Sequence, residues 1–188
     1  MLITALKVVS KQQWIKLVAL ITISFFAILT NNLRSLKFAD AAEGQVRLSA
    51  SIKTADDASY LAPVKNFLSG KKWKNNSSGI QGHFTRTPGY GLFCLPFYHF
   101  FPEKTALTLI VYTQCMLIAL VAGLMFLMFL KWEIPENYAL AFSLTFGLIP
   151  SFSGYVFYTL TEGITPAILF LLFFLSVYSK KSYLAIMS

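Results

Sequence analysis

The run TALTLIVYTQCMLIALVAGLMFLMFL, Thr105–Leu130, carries no charged residue across more than the roughly 20 residues a helix needs to cross a bilayer. Lys131-Trp132-Glu133 marks its exit, with the charge and aromatic expected at a membrane boundary. Reading outward from this span, 56% of the chain is hydrophobic, 13% is charged and the mean hydropathy is +0.61. Those values lie outside the range of an ordinary soluble domain, so the fold class is all-α, a polytopic integral membrane protein. The net charge of +8 invites a nucleic-acid reading. That reading fails, because the basic residues are scattered and no nucleic-acid-binding motif accompanies them. Lysine placement instead reports topology and contact with membrane lipid.

Upstream, Lys7, Lys11 and Lys16 precede the apolar run Leu17–Thr30, with Trp14 at the interface. The pattern predicts an uncleaved first span over about 14–30. A signal peptide with its A-x-A site at Ala39-Asp40-Ala41 is the weaker reading, because that site lies far beyond the apolar run. Downstream, a third span is expected over about 138–158, interrupted near Pro150 and Gly154, and a fourth over about 163–179, closed by Lys180-Lys181. Basic flanks before the first span, after the second and after the fourth put the N-terminus in the cytoplasm. The polar interval 31–104 and Glu162 then share the far face. Ser182–Ser188 looks like the opening of a further hydrophobic segment, so the chain is expected to be the N-terminal part of a longer membrane domain.

The polar interval holds most of the ionisable residues. Asn31–Lys53 shows no clear periodicity. Thr54-Ala55-Asp56-Asp57 fits a capping box ahead of an apolar face of Tyr60, Leu61, Val64, Phe67 and Leu68. With Pro63 in this segment, either the helix starts at Asp56 and kinks, or Ser59 caps it and the proline falls in its first turn. Gly70 stops the helix, and Lys71–Gly79 reads as a basic loop. Thr87-Pro88 looks like an N-cap and first-turn proline opening an aromatic-rich helix, Gly89–Phe101, that Pro96 kinks and Pro102 closes. At about thirteen residues it suits the membrane interface, the other reading being a small buried aromatic helix.

Asp56 and Asp57 are the first chemical candidates, as a general base toward a hydroxyl or as ligands for a hard cation; the plain alternative is acids favoured by a helix start. Arg86, with Lys71, Lys72 and Lys74 adding field, has the fork geometry that holds a phosphate. His83 lies nearby in sequence, His99 reads as an interfacial polar group, and Glu162 with Thr161 sits at the mouth of the fourth span, as a functional acid or as a cap. Cys94 and Cys115 show neither metal-ligand spacing nor a disulfide framework. No P-loop, dinucleotide turn, zinc signature or nucleophile elbow is present, which removes the common soluble-enzyme classes.

Asp56-Asp57-Ala58-Ser59-Tyr60-Leu61, Lys65-Asn66-Phe67-Leu68-Ser69-Gly70, Arg86-Thr87-Pro88-Gly89-Tyr90-Gly91-Leu92-Phe93 and Thr161-Glu162, in that order, resemble the N-terminal part of the GT-C membrane glycosyltransferases. The nearest group looks like the dolichyl-phosphate-mannose protein mannosyltransferases and lipid A aminoarabinose transferases. The resemblance covers about Leu17 to Ser188. It departs at Gly91, where the family usually has proline, and at Pro63, within a helix that is usually unbroken.

This resemblance implies a catalytic cavity on the non-cytoplasmic face, a polyprenyl-phosphate-linked sugar as donor and an extracytoplasmic lipid, glycan or protein as acceptor. It implies Asp56 as the base with Asp57 beside it, Arg86 near the donor phosphate, and Tyr60, Tyr90, His83 and Glu162 lining the substrate site. No metal site is implied, and a divalent cation is not required by the residues present. The family's distribution points to a bacterial inner membrane. The rival expectations are a catalytically inactive remnant or a membrane subunit completing a partner's cavity, and, more remotely, a small transporter.

Overall fold

A computed structural model of the chain describes residues 10–43, 49–52, 57–74, 88–149, 153–158 and 161–178, without the side chains of 38–43, 57–58 and 178. Among the described residues six α-helices run in order: α1 Lys11–Glu43, α2 Asp57–Leu68, α3 Pro88–Phe100, α4 Glu103–Lys131, α5 Glu136–Leu148 and α6 Thr165–Tyr178. Short 3-10 turns, Gly154–Phe157 and Thr161–Gly163, lie between α5 and α6. Among the described residues there is no strand, only an isolated parallel bridge between Ile52 and Tyr158.

Helix α1 opens on a reciprocal cap. The Gln13 amide N–H donates to Ser10 Oγ at 3.2 Å, and the Ser10 amide donates back to Gln13 Oε1 at 2.9 Å. With no glycine or proline before Gly44, nothing breaks the helix where the apolar run ends, and it continues to Glu43. The expected first span, 14–30, is thus the front of a 33-residue helix about 50 Å long. Its polar continuation is stabilised by tertiary contacts that periodicity does not report. Asn32 is buried, its Nδ2 donating to Ile28 O at 2.9 Å and to Ser153 O at 3.2 Å, and Leu36 is buried beyond it.

Helix α4 is the hub, packing against α1, α3, α5 and α6. It is apolar on every side, burying most of its surface against the other helices and leaving Tyr112, Met116 and Leu120 exposed along one face. Glycine permits the closest approaches. A Cβ at Gly123 on α4 would stand 2.7 Å from Ile21 on α1, and one at Gly147 on α5 would stand 2.6 Å from Ser24 Oγ. Leu17, Leu20, Phe126, Met128, Ala139 and Phe174 fill one end of the bundle, while Ile28, Val111, Ile118, Val156 and Phe157 fill its middle.

Among the described residues two helices, α1 and α4, are long and apolar enough to cross a membrane. The expected third and fourth spans are shorter as helices. Helix α5 has 13 residues and ends at Leu148, with Ile149 extended at φ −65° and ψ 121°, the conformation imposed on a residue before proline. Helix α6 has 14 residues and exposes Ile168, Leu169, Leu172 and Phe173, an apolar surface fit for lipid.

Within the polar interval, α2 runs through Pro63 from Asp57, so it does not start from a Ser59 cap. Tertiary packing, with Val64 fully buried and Leu61 nearly so, outweighs the hydrogen bond Pro63 removes. Gly70 terminates α2 at φ 73°, with the Lys71 amide donating to Asn66 O at 2.9 Å and the Gly70 amide to Phe67 O at 3.0 Å. This double bond pattern satisfies the last carbonyls, and glycine alone adopts that φ without strain. Helix α3 opens at Pro88 and keeps Pro96 inside it.

Candidate functional site

Helices α2 and α3 lie side by side with their N-terminal ends together. Tyr60, in the first turn of α2, meets Tyr90, in the first turn of α3, edge to face with ring centroids 5.4 Å apart. Further along, Lys65 of α2 reaches the ring of Tyr98 on α3 and forms an ion pair of 2.8 Å with Glu103. The pair of helices sits on the first half of α4 through Leu107 and Ile110.

The turn leading into α6 comes to the same place. The Tyr60 hydroxyl lies 3.3 Å from Thr161 Oγ1, and Thr161 Oγ1 lies 3.1 Å from Glu162 Oε2. A threonine hydroxyl has one proton, and a carboxylate only accepts. Thr161 therefore donates to Glu162, and Tyr60 donates to Thr161. The result is a directed chain from a buried phenol to an exposed carboxylate.

Beneath this chain lies Gln114, fully buried in the middle of α4. Its Oε1 accepts from the Tyr90 hydroxyl at 3.0 Å, and its Nε2 donates to the backbone carbonyls of Val156 at 2.6 Å and Tyr158 at 3.3 Å. The broken stretch between α5 and α6 has carbonyls with no helical partner, and this amide satisfies two of them. Gly163 fits against the same side chain, since a Cβ there would stand 2.9 Å from Gln114 Oε1. Residues 49–52 close the side, with the Ile52 amide donating to Phe157 O at 2.8 Å.

Three helix beginnings thus converge, those of α2, α3 and α6. Each brings the positive end of its dipole, which favours an anionic group. Among the described residues, no group of three or more histidine, cysteine or carboxylate side chains gathers as a metal site.

Of the residues singled out from sequence, Tyr60, Tyr90 and Glu162 are brought together here. Asp57 begins α2, one helical turn before Tyr60, while its side chain lies outside the described residues. Asp56, His83 and Arg86 also lie outside them. His99 is at the far end of α3, exposed and away from this cluster. Gln114 was not legible from the pattern, although an amide alone inside a long apolar run is the signal that finds it. Trp73 was also missed. It packs edge to face on Phe67 at 5.8 Å and covers Gly91, where a Cβ would stand 2.8 Å from its ring. The glycine that departs from the expected proline is thus the seat of a tryptophan. Compared with known proteins, the chain matches no protein-family model, no curated protein and no solved structure.

Proposed function

We propose that the chain is the N-terminal part of a GT-C-type glycosyltransferase, which moves a sugar from a polyprenyl-phosphate carrier to an acceptor outside the cytoplasm. The observation that supports this reading most is the meeting of the first turns of α2 and α3 with the turn into α6, at Tyr60, Tyr90 and Thr161. Displacement at a sugar carbon needs positive potential where phosphate leaves and a base on the attacking side. Three helix N-termini supply the first. In this reading Arg86, two residues ahead of α3, adds a charged fork, and Asp56, next before α2, is the base. The Tyr60–Thr161–Glu162 chain orients hydroxyl groups of the sugar or acceptor.

The proposed arrangement in the membrane has four crossings, with the N-terminus cytoplasmic in a bacterial inner membrane. Two contacts favour it. Lys16 pairs with Glu136 and Lys131 Nζ donates to Val177 O at 3.1 Å, which gathers the start of α1, the α4–α5 turn and the end of α6 at one end of the bundle. The Lys65–Glu103 pair and the Tyr60 cluster belong to the other. Helix α5 and its 3-10 extension form the third crossing and α6 the fourth.

The reading is tested with the chain in nanodiscs supplied with undecaprenyl phosphate. Native mass spectrometry is expected to detect the bound lipid on the wild type and to show its loss in Arg86→Ala. In the full-length protein, Asp56→Asn is expected to abolish transfer from polyprenyl-phosphate sugars with membrane insertion intact. Transfer retained in Asp56→Asn removes the base assignment, and absence of lipid binding in the wild type removes the donor class.

A further inference from the structure

Gln114 stands where an apolar residue would be expected, and every polar atom of its amide is used on a different element. Oε1 holds Tyr90 of α3; Nε2 holds the carbonyls of Val156 and Tyr158 between α5 and α6. The Tyr90 and Val156 bonds have no water to substitute, since Tyr90, Gln114 and Val156 are all essentially inaccessible, while the Tyr158 bond is part-buried. A polar group left unpaired at such a site carries its full desolvation cost, so losing the partner on one side favours a turn of the amide that strains the other. Gly163 fixes the geometry from a third direction, because any side chain there meets Oε1.

We infer that Gln114 is a positioning residue that couples the seat of Tyr90 on α3 to the break between α5 and α6, and through that break sets Thr161 and Glu162. Displacing Tyr90 frees Oε1, turns the amide and releases the carbonyls, so a ligand entering between α2 and α3 is felt at Glu162. Reciprocity holds, as it must for any coupling of two sites. The coupling exists whether or not the chain transfers a sugar, and its test reads backbone protection.

The full chain in nanodiscs is followed by hydrogen exchange with mass spectrometry. The reporters are the amides of Ile52, Ser153, Tyr158 and Ile164, which donate to Phe157, Ile149, Tyr155 and Thr161 within the broken stretch. Gln114→Glu keeps the acceptor for Tyr90 and, protonated in this buried site, offers one proton where the amide offers two, so it is expected to raise exchange at these reporters about tenfold or more while the first turn of α3 stays protected. Gln114→Leu is expected to raise both regions. Tyr90→Phe is expected to raise the reporters by a smaller factor, which a purely local role for Gln114 would not produce. Ile118→Ala, one turn along α4 and equally buried, controls for general loosening. Should the Gln114 variants fail to fold, Gly163→Ala keeps the amide and pushes it, and the same pattern is expected. Unchanged reporter exchange in Gln114→Glu and Gly163→Ala, or an equal rise in Ile118→Ala, overturns the coupling. Unchanged reporters in Tyr90→Phe overturn it as well.

Discussion

The hydroxyl of Tyr60 lies 3.3 Å from that of Thr161, 101 residues later in the chain, and the Thr161 hydroxyl donates a hydrogen bond to Glu162. This contact ties the first turn of α2 to the entrance of α6. The bond is part-buried, so its loss should register in stability as well as function. In a double-mutant cycle of Tyr60→Phe and Thr161→Val, thermal unfolding in detergent is expected to give a coupling of about 0.5–1.5 kcal/mol. Additive effects would mean that the two hydroxyls do not meet in the membrane.

Gly91 is predicted to be the least replaceable glycine of the outer helices. A Cβ there falls 2.8 Å from the Trp73 ring, a bulky side chain itself packed on Phe67, while Tyr60 O at 3.4 Å is in ordinary contact. Gly91→Ala is expected to destabilise by about 1–3 kcal/mol and to move Trp73 fluorescence, with partial recovery on adding Trp73→Phe. Gly89, two residues earlier, has nothing within 4 Å. Gly89→Ala should be neutral or stabilising, by up to about 1 kcal/mol, since alanine is the better helix former.

Two helix ends use the same hydrogen-bond pattern with different residues. Gly70 ends α2 at φ 73°, whereas Glu133 ends α4 at φ 59°, with the Glu133 amide bonded to Leu130 O and the Ile134 amide to Phe129 O. A side chain in that conformation is strained by roughly 1 kcal/mol. Glu133→Gly is therefore expected to raise the unfolding midpoint, and Gly70→Ala to lower it. Equal midpoints for both variants and the wild type would refute the assignment of strain.

The Lys65–Glu103 pair is predicted to matter little. Its side chains are 47% and 50% exposed, and ion pairs of that exposure contribute about 0–1 kcal/mol, less as salt rises. Glu103→Gln should shift thermal stability by no more than this, measured at low and high salt. A larger, salt-independent loss would mean that Glu103 has a partner beyond Lys65.

Length, composition and breakers made much of the scaffold readable. An uncharged run from Thr105 to Leu130 has one economical solution, a helix with apolar neighbours, and it is the centre of the fold. Gly70 and Pro102 end helices where they were expected to, because φ preference and a missing N–H act locally. Tertiary contact decided the rest. Helix α1 runs on to Glu43 with Asn32 bonded to Ser153, and α2 tolerates Pro63 because Leu61 and Val64 are buried around it.

The candidate site divides the same way. Glu162 was singled out from its place at the mouth of an apolar segment, and Tyr60 and Tyr90 through the motifs that carry the family resemblance. That they meet, and that Gln114 joins two of their elements, depends on chain separated by 24 to 101 residues. No local spacing encodes such a meeting. It arises because α4 draws α1, α3 and the α5–α6 break against most of its surface, and the buried amides of Gln114 and Asn32 satisfy carbonyls that the break exposes. Sequence by itself determined which segments are apolar and, at Gly70 and Pro102, where a helix stops, as those are properties of neighbouring residues. Only the tertiary structure decided which helix beginnings face one another, because that follows from packing among segments far apart in the chain.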